Sequence, residues 1–479
     1  MGHDHDTIPG GLSRRQFIQR AVAAGAALSP AAAVLSACGG TGGTSGGTGQ
    51  KSSKNPFGVD STAPLDVVIF KGGYGDQYAR DAVQQYSKRY PKAQVKISDV
   101  TQNLSQEYQP KFVAGTPPDF MDDSGAGDIA PGTLVSQHQL TDLGSFWNAP
   151  SIDDPNKKLK DTVLFDTQSD AIFNGKYYVN LYALSVYSIW YSSTLFKQKG
   201  WTYPQTWDDM MKLCAEIKQS GMAPWTYQGV YPSYVVDLWV PMVTKLAGPD
   251  VVKKIDNLEA NAWKDDAVME SLNALYKLVT SGYIMQGSGG LTHIESQKAW
   301  LNKQAAFIPC GSWLENEMTG FVPSDFNMVV APTPSLSSSD KMPYGSTNYY
   351  AGENFIVPSK AKNQAGGLEY MRVLLSKQAA QNFTKLTKTL TIVKGAADTL
   401  SISKTDTSLK SQLALINNGK PRIPTALFGG WYAQMDDAVK QAFGSMMQKR
   451  MTPAQVVDAC QAAADATKNN PSIVKYHRS

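Results

Sequence analysis

Asp122 and Asp123 form an acidic doublet directly after the short apolar run Asp119–Met121 and directly before Ser124-Gly125. If that run is a parallel strand, the doublet sits at its carboxyl end, where open α/β sheets bind their ligands. A carboxylate placed there either accepts hydroxyl hydrogens from a sugar or closes a turn. Glu353, in Gly352-Glu353-Asn354 ahead of an apolar run, is a third acid of this kind, either a hydroxyl acceptor or a member of a hinge network; Asn348 and Tyr349 lie just upstream. The remaining doublets read as helix features. Asp208-Asp209 and Asp265-Asp266 open helices, where the dipole favours acids, and Asp436-Asp437 falls on the outer face of one.

Nucleophilic and metal chemistry find few candidates. Of five histidines, His3 and His5 belong to an N-terminal leader, and His138, His293 and His477 are isolated, His293 in the solvent-facing first turn of a capped helix. Gly43-Thr44-Ser45-Gly46-Gly47 spells a nucleophile elbow by letter, with neither a strand before it nor a helix after it. Gly73-Tyr74-Gly75 begins like a dinucleotide loop, but the third glycine position is Tyr78. There is no phosphate loop, no CxxC and no Cys/His ligand spacing, so no cofactor and no metal is expected. The rival to a binding protein is a lipid-anchored glycan hydrolase that uses Asp122 or Asp123 with Glu353, since glycoside cleavage needs two acids across a sugar.

Rings with polar edges are abundant: 22 Tyr and 10 Trp against 16 Phe. Such rings suit a wet cleft, where a flat apolar face and a hydrogen-bonding rim are both used. Trp147, Trp201, Trp207, Trp263 and Trp300 lie in or beside helices and read as packing. Trp225, Tyr231, Tyr234 and Trp239 fall in a Pro-containing, loop-like stretch, where ligand contact and packing are both open. Trp313 follows Gly311-Ser312 at the end of the strand-like Ala305–Ile308. Trp431 follows Gly429-Gly430 and opens a helix whose stripe continues through Met435, Val439 and Phe443, so core packing competes with a cleft position there.

The elements that must carry these residues begin with strand Leu65–Phe70, a Gly72–Gly75 turn and a helix over Asp76–Tyr90. Strand Val95–Ile97, a helix over Ser105–Ala114 and strand Asp119–Met121 follow, an order that implies parallel pairing in an α/β lobe. The middle is richer in helix, with Thr206 capping Trp207–Lys218 and a capping box at Thr292-His293-Ile294-Glu295. Strand-like pieces return at Asn327–Val330 and Asn354–Val357, then helices at Leu368–Lys377, Trp431–Gln448 and Pro453–Thr467. At 479 residues, 42% apolar and 18% charged, the chain is globular and long enough for more than one lobe. A net charge of +4 without runs of like charge excludes a nucleic-acid binder.

The first 37 residues read as a removable address. Ser13-Arg14-Arg15-Gln16-Phe17-Ile18 is a twin-arginine core, an uncharged Ala-rich stretch follows, and Val34-Leu35-Ser36-Ala37-Cys38 looks like a lipobox whose cysteine is acylated. Residues 38–64 then form a Gly-rich, polar tether that as a coil spans roughly 25–30 Å. No later apolar stretch is long enough to span a bilayer, so the chain is expected at the outer face of the cell membrane, held by lipid on Cys38. Cys214 and Cys460 lie on helical apolar stripes and read as buried thiols; with Cys310, at most one disulfide is possible.

Taken with the lipobox, tether and opening strand–turn–helix, Thr116-Pro117-Pro118-Asp119-Phe120, Asn174-Gly175-Lys176-Tyr177-Tyr178, Trp190-Tyr191-Ser192-Ser193-Thr194-Leu195-Phe196 and Pro204-Gln205-Thr206-Trp207-Asp208 resemble the carbohydrate-binding lipoproteins of ABC importers, extracellular solute-binding family 1. The likeness covers the chain from about residue 65 onward; the family's usual Tyr-Asn-Lys-Asp-Leu-Phe is replaced by Tyr191-Ser192-Ser193-Thr194-Leu195-Phe196, which alters a turn. Within the family the chain is most similar to the N-acetylglucosamine- and chitobiose-binding lipoproteins of Gram-positive bacteria. The resemblance implies a two-lobe α/β fold joined by crossovers, with residues 65–183 plus 345–393 in one lobe and 184–344 plus 394–479 in the other. It implies a sugar ligand trapped by lobe closure, ABC permease subunits as partners, a monomer, and no catalysis. It also implies sugar contacts at the Gly72–Asp76 turn, hence Tyr74 and Asp76, at Asp122 and Asp123, along Trp225–Trp239, and at Trp313 and Trp431.

Overall fold

Strand and helix alternate at the start of the computed structural model, which describes residues 49–125, 127–398, 402, 406–419 and 421–478. The elements are β1 (Leu65–Phe70), α1 (Gln77–Arg89), β2 (Val95–Val100), α2 (Leu104–Ala114) and β3 (Phe120–Asp122). β1 pairs in parallel with β2 on one side and β3 on the other, as the βαβαβ order requires. Asp119 pins the start of β3: its two carboxylate oxygens accept from the Asp66 N–H at 2.9 Å and the Asn363 N–H at 2.7 Å.

β4 (Asn180–Ser192) runs through the middle of the main sheet. It is 13 residues long and buried almost throughout, roughly 43 Å at the usual rise. Next come α3 (Ser193–Lys199), α4 (Trp207–Gln219), β5 (Ala223–Trp225), α5 (Ser233–Ala247), α6 (Asp266–Thr280), α7 (His293–Leu301), β6 (Ala305–Gly311), β7 (Met328–Ala331) and β8 (Tyr349–Ile356). The half of β4 up to Val186 pairs antiparallel with β8, and the half from Tyr187 pairs with β6 and β7. The sheet therefore runs β2-β1-β3-β8-β4-β6-β5, with β4 changing partners at Val186–Tyr187. The chain ends in α8 (Gln364–Leu374), α9 (Lys377–Thr387), β9 (Leu390–Thr391), α10 (Thr407–Asn418), α11 (Phe428–Trp431), α12 (Ala433–Met447) and α13 (Pro453–Asn469).

Local chemistry sets several boundaries as the sequence predicts. The Thr206 hydroxyl accepts from the Asp209 N–H to start α4, Thr292 and Glu295 form a capping box on α7, and Asp265 caps α6. All three described cysteines are free and buried. Among the described residues no helix is long and apolar enough to cross a membrane, and no His/Cys/Asp/Glu group could hold a metal.

Four expectations need correction. The stretch from Ser233 to Trp239 is not a loop: it belongs to α5, whose N-cap is Pro232. The tether does not extend to Pro64, because residues 49–64 dock on the folded body: Val59 is 2% exposed, Phe57 stacks on Phe146, and the Lys54 carbonyl accepts from Arg89 and Arg372. Asp436 does not face outward but is mostly buried and ion-paired to Lys440. His293 is half-buried, edge-on to Tyr231 and 3.5 Å from Glu317. Cys38 and the twin-arginine segment lie outside the described residues.

Candidate functional site

The acids at the end of β3 meet the acid in β8. Asp122 is fully buried and accepts from Tyr78 Oη at 3.0 Å and Ser124 Oγ at 2.5 Å, with Glu353 as a further hydrogen-bond partner. Burial and the Asp122 charge push Glu353 well above the usual carboxylate range, and burial also raises Asp122, to about 6. Glu353 adopts φ 56°, a left-handed conformation unusual for a residue with a side chain and of the kind that collects at functional sites. Asp123, also fully buried, accepts from the Ile129 N–H at 3.0 Å through Oδ1.

Tyr74 lies near Glu353, and a second group of rings gathers around Trp313. Tyr74, in the turn after β1, reaches Ser185 of β4 at 3.1 Å and lies edge-on to Phe383. Trp313, just past β6, donates through Nε1 to Tyr234 Oη at 3.1 Å, with its ring 6.1 Å from those of both Tyr187 and Tyr234. The turn after β1 touches this second group: a Cβ built on Gly73 would stand 3.0 Å from Trp313 Cβ and 3.1 Å from Glu317 Cγ. Tyr74, Tyr234, Asp237, Tyr350 and Glu353 all keep some solvent contact, yet desolvation raises the pKa of each. That combination belongs to the walls of a narrow recess.

Gly311 decides where the Trp313 ring can lie. A Cβ there would come within 2.1 Å of the indole, because the ring folds back over the strand end. Gly311→Ala should therefore displace the ring. It is expected to weaken ligand binding in the same direction as loss of the indole, with a changed tryptophan emission maximum as the check; unchanged emission and affinity would contradict this.

Several expected contacts lie elsewhere. Trp225 is 1% exposed between Trp207 and Phe307, with Nε1 donating to Cys214 Sγ. Trp239 is fully buried on the inward face of α5, stacked on Trp263 and donating to Ser271. Both are core residues. Both Asp76 oxygens are taken up, by Arg80 at 2.6 Å and Lys71 at 3.3 Å; against the desolvation of its position, these cations hold its carboxyl below the usual range. Tyr349 packs with Arg422 on the opposite face of β8, and Tyr350, one residue on, shares the recess. Tyr231 reaches the recess edge through His293 and Glu317. Asn348 is 5% exposed with Oδ1 unpartnered, and Trp431 is 4% exposed among Tyr432 and Tyr476 with Nε1 unpartnered.

Residues not anticipated from sequence complete the recess: Ser185, Tyr187, Asp237, Glu317 and Tyr350. Asp237 carried a signal, as the lone acid in the apolar run Val235-Val236-Asp237-Leu238-Trp239-Val240.

The model of the bacterial extracellular solute-binding proteins matches residues 72–381. The chain belongs to this family. This solute-binding protein is 32% identical over 468 residues, 97% of its own length and 98% of the relative's, to the diacetylchitobiose binding protein NgcE of Streptomyces coelicolor. Among solved structures it is similar to a chitin oligosaccharide binding protein, with a TM-score of 0.67 and 20% identity over 81% of this chain and 94% of that one. The solute receptor AcbH, described as preferring β-D-galactopyranose, gives a TM-score of 0.68 at 18% identity over 85% of this chain and 99% of that one. The solute-binding protein thus has the family's two-lobe α/β architecture.

Proposed function

We propose that this solute-binding protein captures N-acetylglucosamine, chitobiose or short chito-oligosaccharides between its lobes and passes them to the permease subunits of an ABC importer. The observation that carries the reading is that the buried Asp122–Glu353 pair has Tyr74 beside it, while the turn that carries Tyr74 packs at Gly73 against Trp313, itself bonded to Tyr234. Rings stack on the apolar faces of pyranoses while fixed acids accept their hydroxyl hydrogens. The diacetylchitobiose-binding relative supports the ligand class. Trp431 Nε1, Asn348 Oδ1 and Asp123 Oδ2 are buried without a partner, and a ligand amide or hydroxyl that reached them would satisfy them. The lobes are taken as 65–183 plus 345–393 and 184–344 plus 394–479, and the protein as a monomer held at the outer membrane face by Cys38.

Binding without catalysis is supported by the carboxyl geometry. Asp122 and Glu353 hydrogen-bond to each other, whereas glycosidase acids stand about 5 Å or more apart with the scissile bond between them. A thermal-shift panel of sugars tests the ligand class: one present at about 100 times its dissociation constant adds about 2.7 kcal/mol. Stabilisation by a different oligosaccharide and none by chitobiose would overturn the choice of sugar. For the anchor, Cys38→Ser should abolish lipid attachment; mature membrane-bound protein from that variant would contradict it.

Lobe closure makes binding pH-dependent. Burial raises Asp237 and Glu317 to about 7 each, above their ordinary values near 4. Closure that buries these acids costs nothing while they are protonated and is opposed once they ionise, so it is easiest below the open-state value and becomes progressively harder as pH rises through about 7. Affinity for a neutral sugar should fall between about pH 5 and 8, with proton uptake on binding. Calorimetry in two buffers of different ionisation enthalpy measures the uptake; proton release would contradict the sign.

A further inference from the structure

Two groups of elements flank β4. β1, β2 and β3 lie on the side reached through β8, which pairs with β4 up to Val186, while β6 and β7 pair with it from Tyr187. α9 belongs with the first group, since its Asn382 donates to Asp81 of α1 at 2.8 Å. Past the end of β6, residues 312–317 reach back toward that group. Ser312 fixes the start of this segment: its Oγ accepts from the Val186 N–H at 2.9 Å, where β4 changes partners. Glu317 fixes the end, with Oε2 accepting from Gln297 Nε2 of α7 at 2.5 Å. The single helical turn Leu314–Glu317 lies between them.

Held at both ends, the segment makes two contacts with the first group. Asn316 Nδ2 donates at 2.5 Å to the carbonyl of Thr387, the last residue of α9. The last carbonyls of a helix have no partner within it, so an amide from outside is the donor such a group needs. Thr389 Oγ1, at 3.3 Å, is a longer second donor. The other contact is steric. A Cβ on Gly73 would stand 3.0 Å from Trp313 Cβ and 3.1 Å from Glu317 Cγ, inside the roughly 3.5–4.0 Å at which carbon atoms attract. Gly75 in the same turn needs glycine for its φ of 64°, but Gly73 is not left-handed and its backbone would accept any residue. What requires a glycine at 73 is the approach of residues 313–317.

We infer that Gly73 and Asn316 are positioning residues for sugar capture: residues 313–317 latch the lobes together, Gly73 by leaving room for them and Asn316 by holding Thr387. This rests on the lobe-closure reading, which puts Gly73 and Thr387 in one lobe and residues 313–317 in the other. Trp313 carries the sugar-facing indole, and its Cβ is the atom that meets Gly73. A sugar stacked on that indole therefore steadies the surface on which the opposite lobe closes, which couples occupancy to closure.

The test is calorimetry and small-angle scattering of the mature protein with di-N-acetylchitobiose. Gly73→Leu should abolish the decrease in radius of gyration on adding sugar. It should also bind about tenfold or more weakly, because the closed form is no longer accessible, while the sugar-free protein melts as wild type does. Gly73→Ala should fall between the two, since one methyl asks for only a small displacement. Asn316→Ala should bind about fivefold more weakly, the loss of one neutral hydrogen bond made on closing. If Gly73→Leu melts too low to titrate, Gly73→Ala and Asn316→Ala decide. Wild-type compaction in the Gly73 variants, or wild-type affinity in Asn316→Ala, would overturn the latch while leaving the sugar reading intact. Wild-type protein that fails to bind or to compact would overturn the closure reading itself.

Discussion

Trp313→Ala should weaken sugar binding by on the order of 2 kcal/mol or more, roughly thirtyfold in dissociation constant, with little change in the melting temperature of the sugar-free protein. The indole is partly exposed at the end of β6, oriented by one hydrogen bond to Tyr234 and by the ring of Tyr187. Its removal opens space in the recess and leaves the hydrophobic interior intact. Trp431 behaves differently. It is 4% exposed between Tyr432 and Tyr476, and its backbone is so close to Gly132 that a Cβ there would sit 2.4 Å from the Trp431 carbonyl oxygen. Trp431→Ala should cost roughly 3–5 kcal/mol of stability whatever it does to affinity. Titrations paired with melting curves separate the two; a collapsed melting temperature with unchanged affinity for Trp313→Ala would remove that residue from the site.

Arg372→Met should destabilise the protein by roughly 3–5 kcal/mol, the cost of breaking a buried ion pair from one side. Arg372 is 1% exposed, Glu369 is fully buried, and they form a bidentate pair at 2.8 and 2.9 Å, with Arg89 on the same carboxylate at 3.1 Å. The guanidinium also donates to the Pro150 carbonyl at 3.0 Å and the Lys54 carbonyl at 3.1 Å, so its loss unties the docked residues 49–64 as well. The double variant Arg372→Met with Glu369→Leu should recover much of the loss, because no charge is then left buried. Denaturant midpoints measure both, and a single variant within about 0.5 kcal/mol of wild type would contradict the account.

Much of the architecture is legible in the sequence because local signals and tertiary demands agree. The apolar run Leu65–Phe70 is a strand to the residue, and Thr206, Asp265 and Thr292 start helices with the side-chain bonds their types predict. β4 is harder to read, since its unbroken burial removes the alternation that marks a half-buried strand. α5 is masked by Pro232 and Pro241, and Trp239 is misplaced with it. Of the site, Asp122, Glu353, Tyr74 and Trp313 are readable as strand-end and turn residues. Tyr350 is not, because only the pleat of β8 decides which of two adjacent tyrosines faces the recess. Asp436 reads as a solvated helix acid, whereas its side chain is mostly buried and ion-paired to Lys440.

The central claim is that a chito-oligosaccharide is captured between closing lobes and left uncleaved. The most direct measurement is small-angle scattering of the mature protein during titration with di-N-acetylchitobiose, with the sugar recovered afterwards for analysis. The account predicts a saturable decrease in radius of gyration and recovery of intact disaccharide. Saturation without compaction, or release of N-acetylglucosamine, would contradict it.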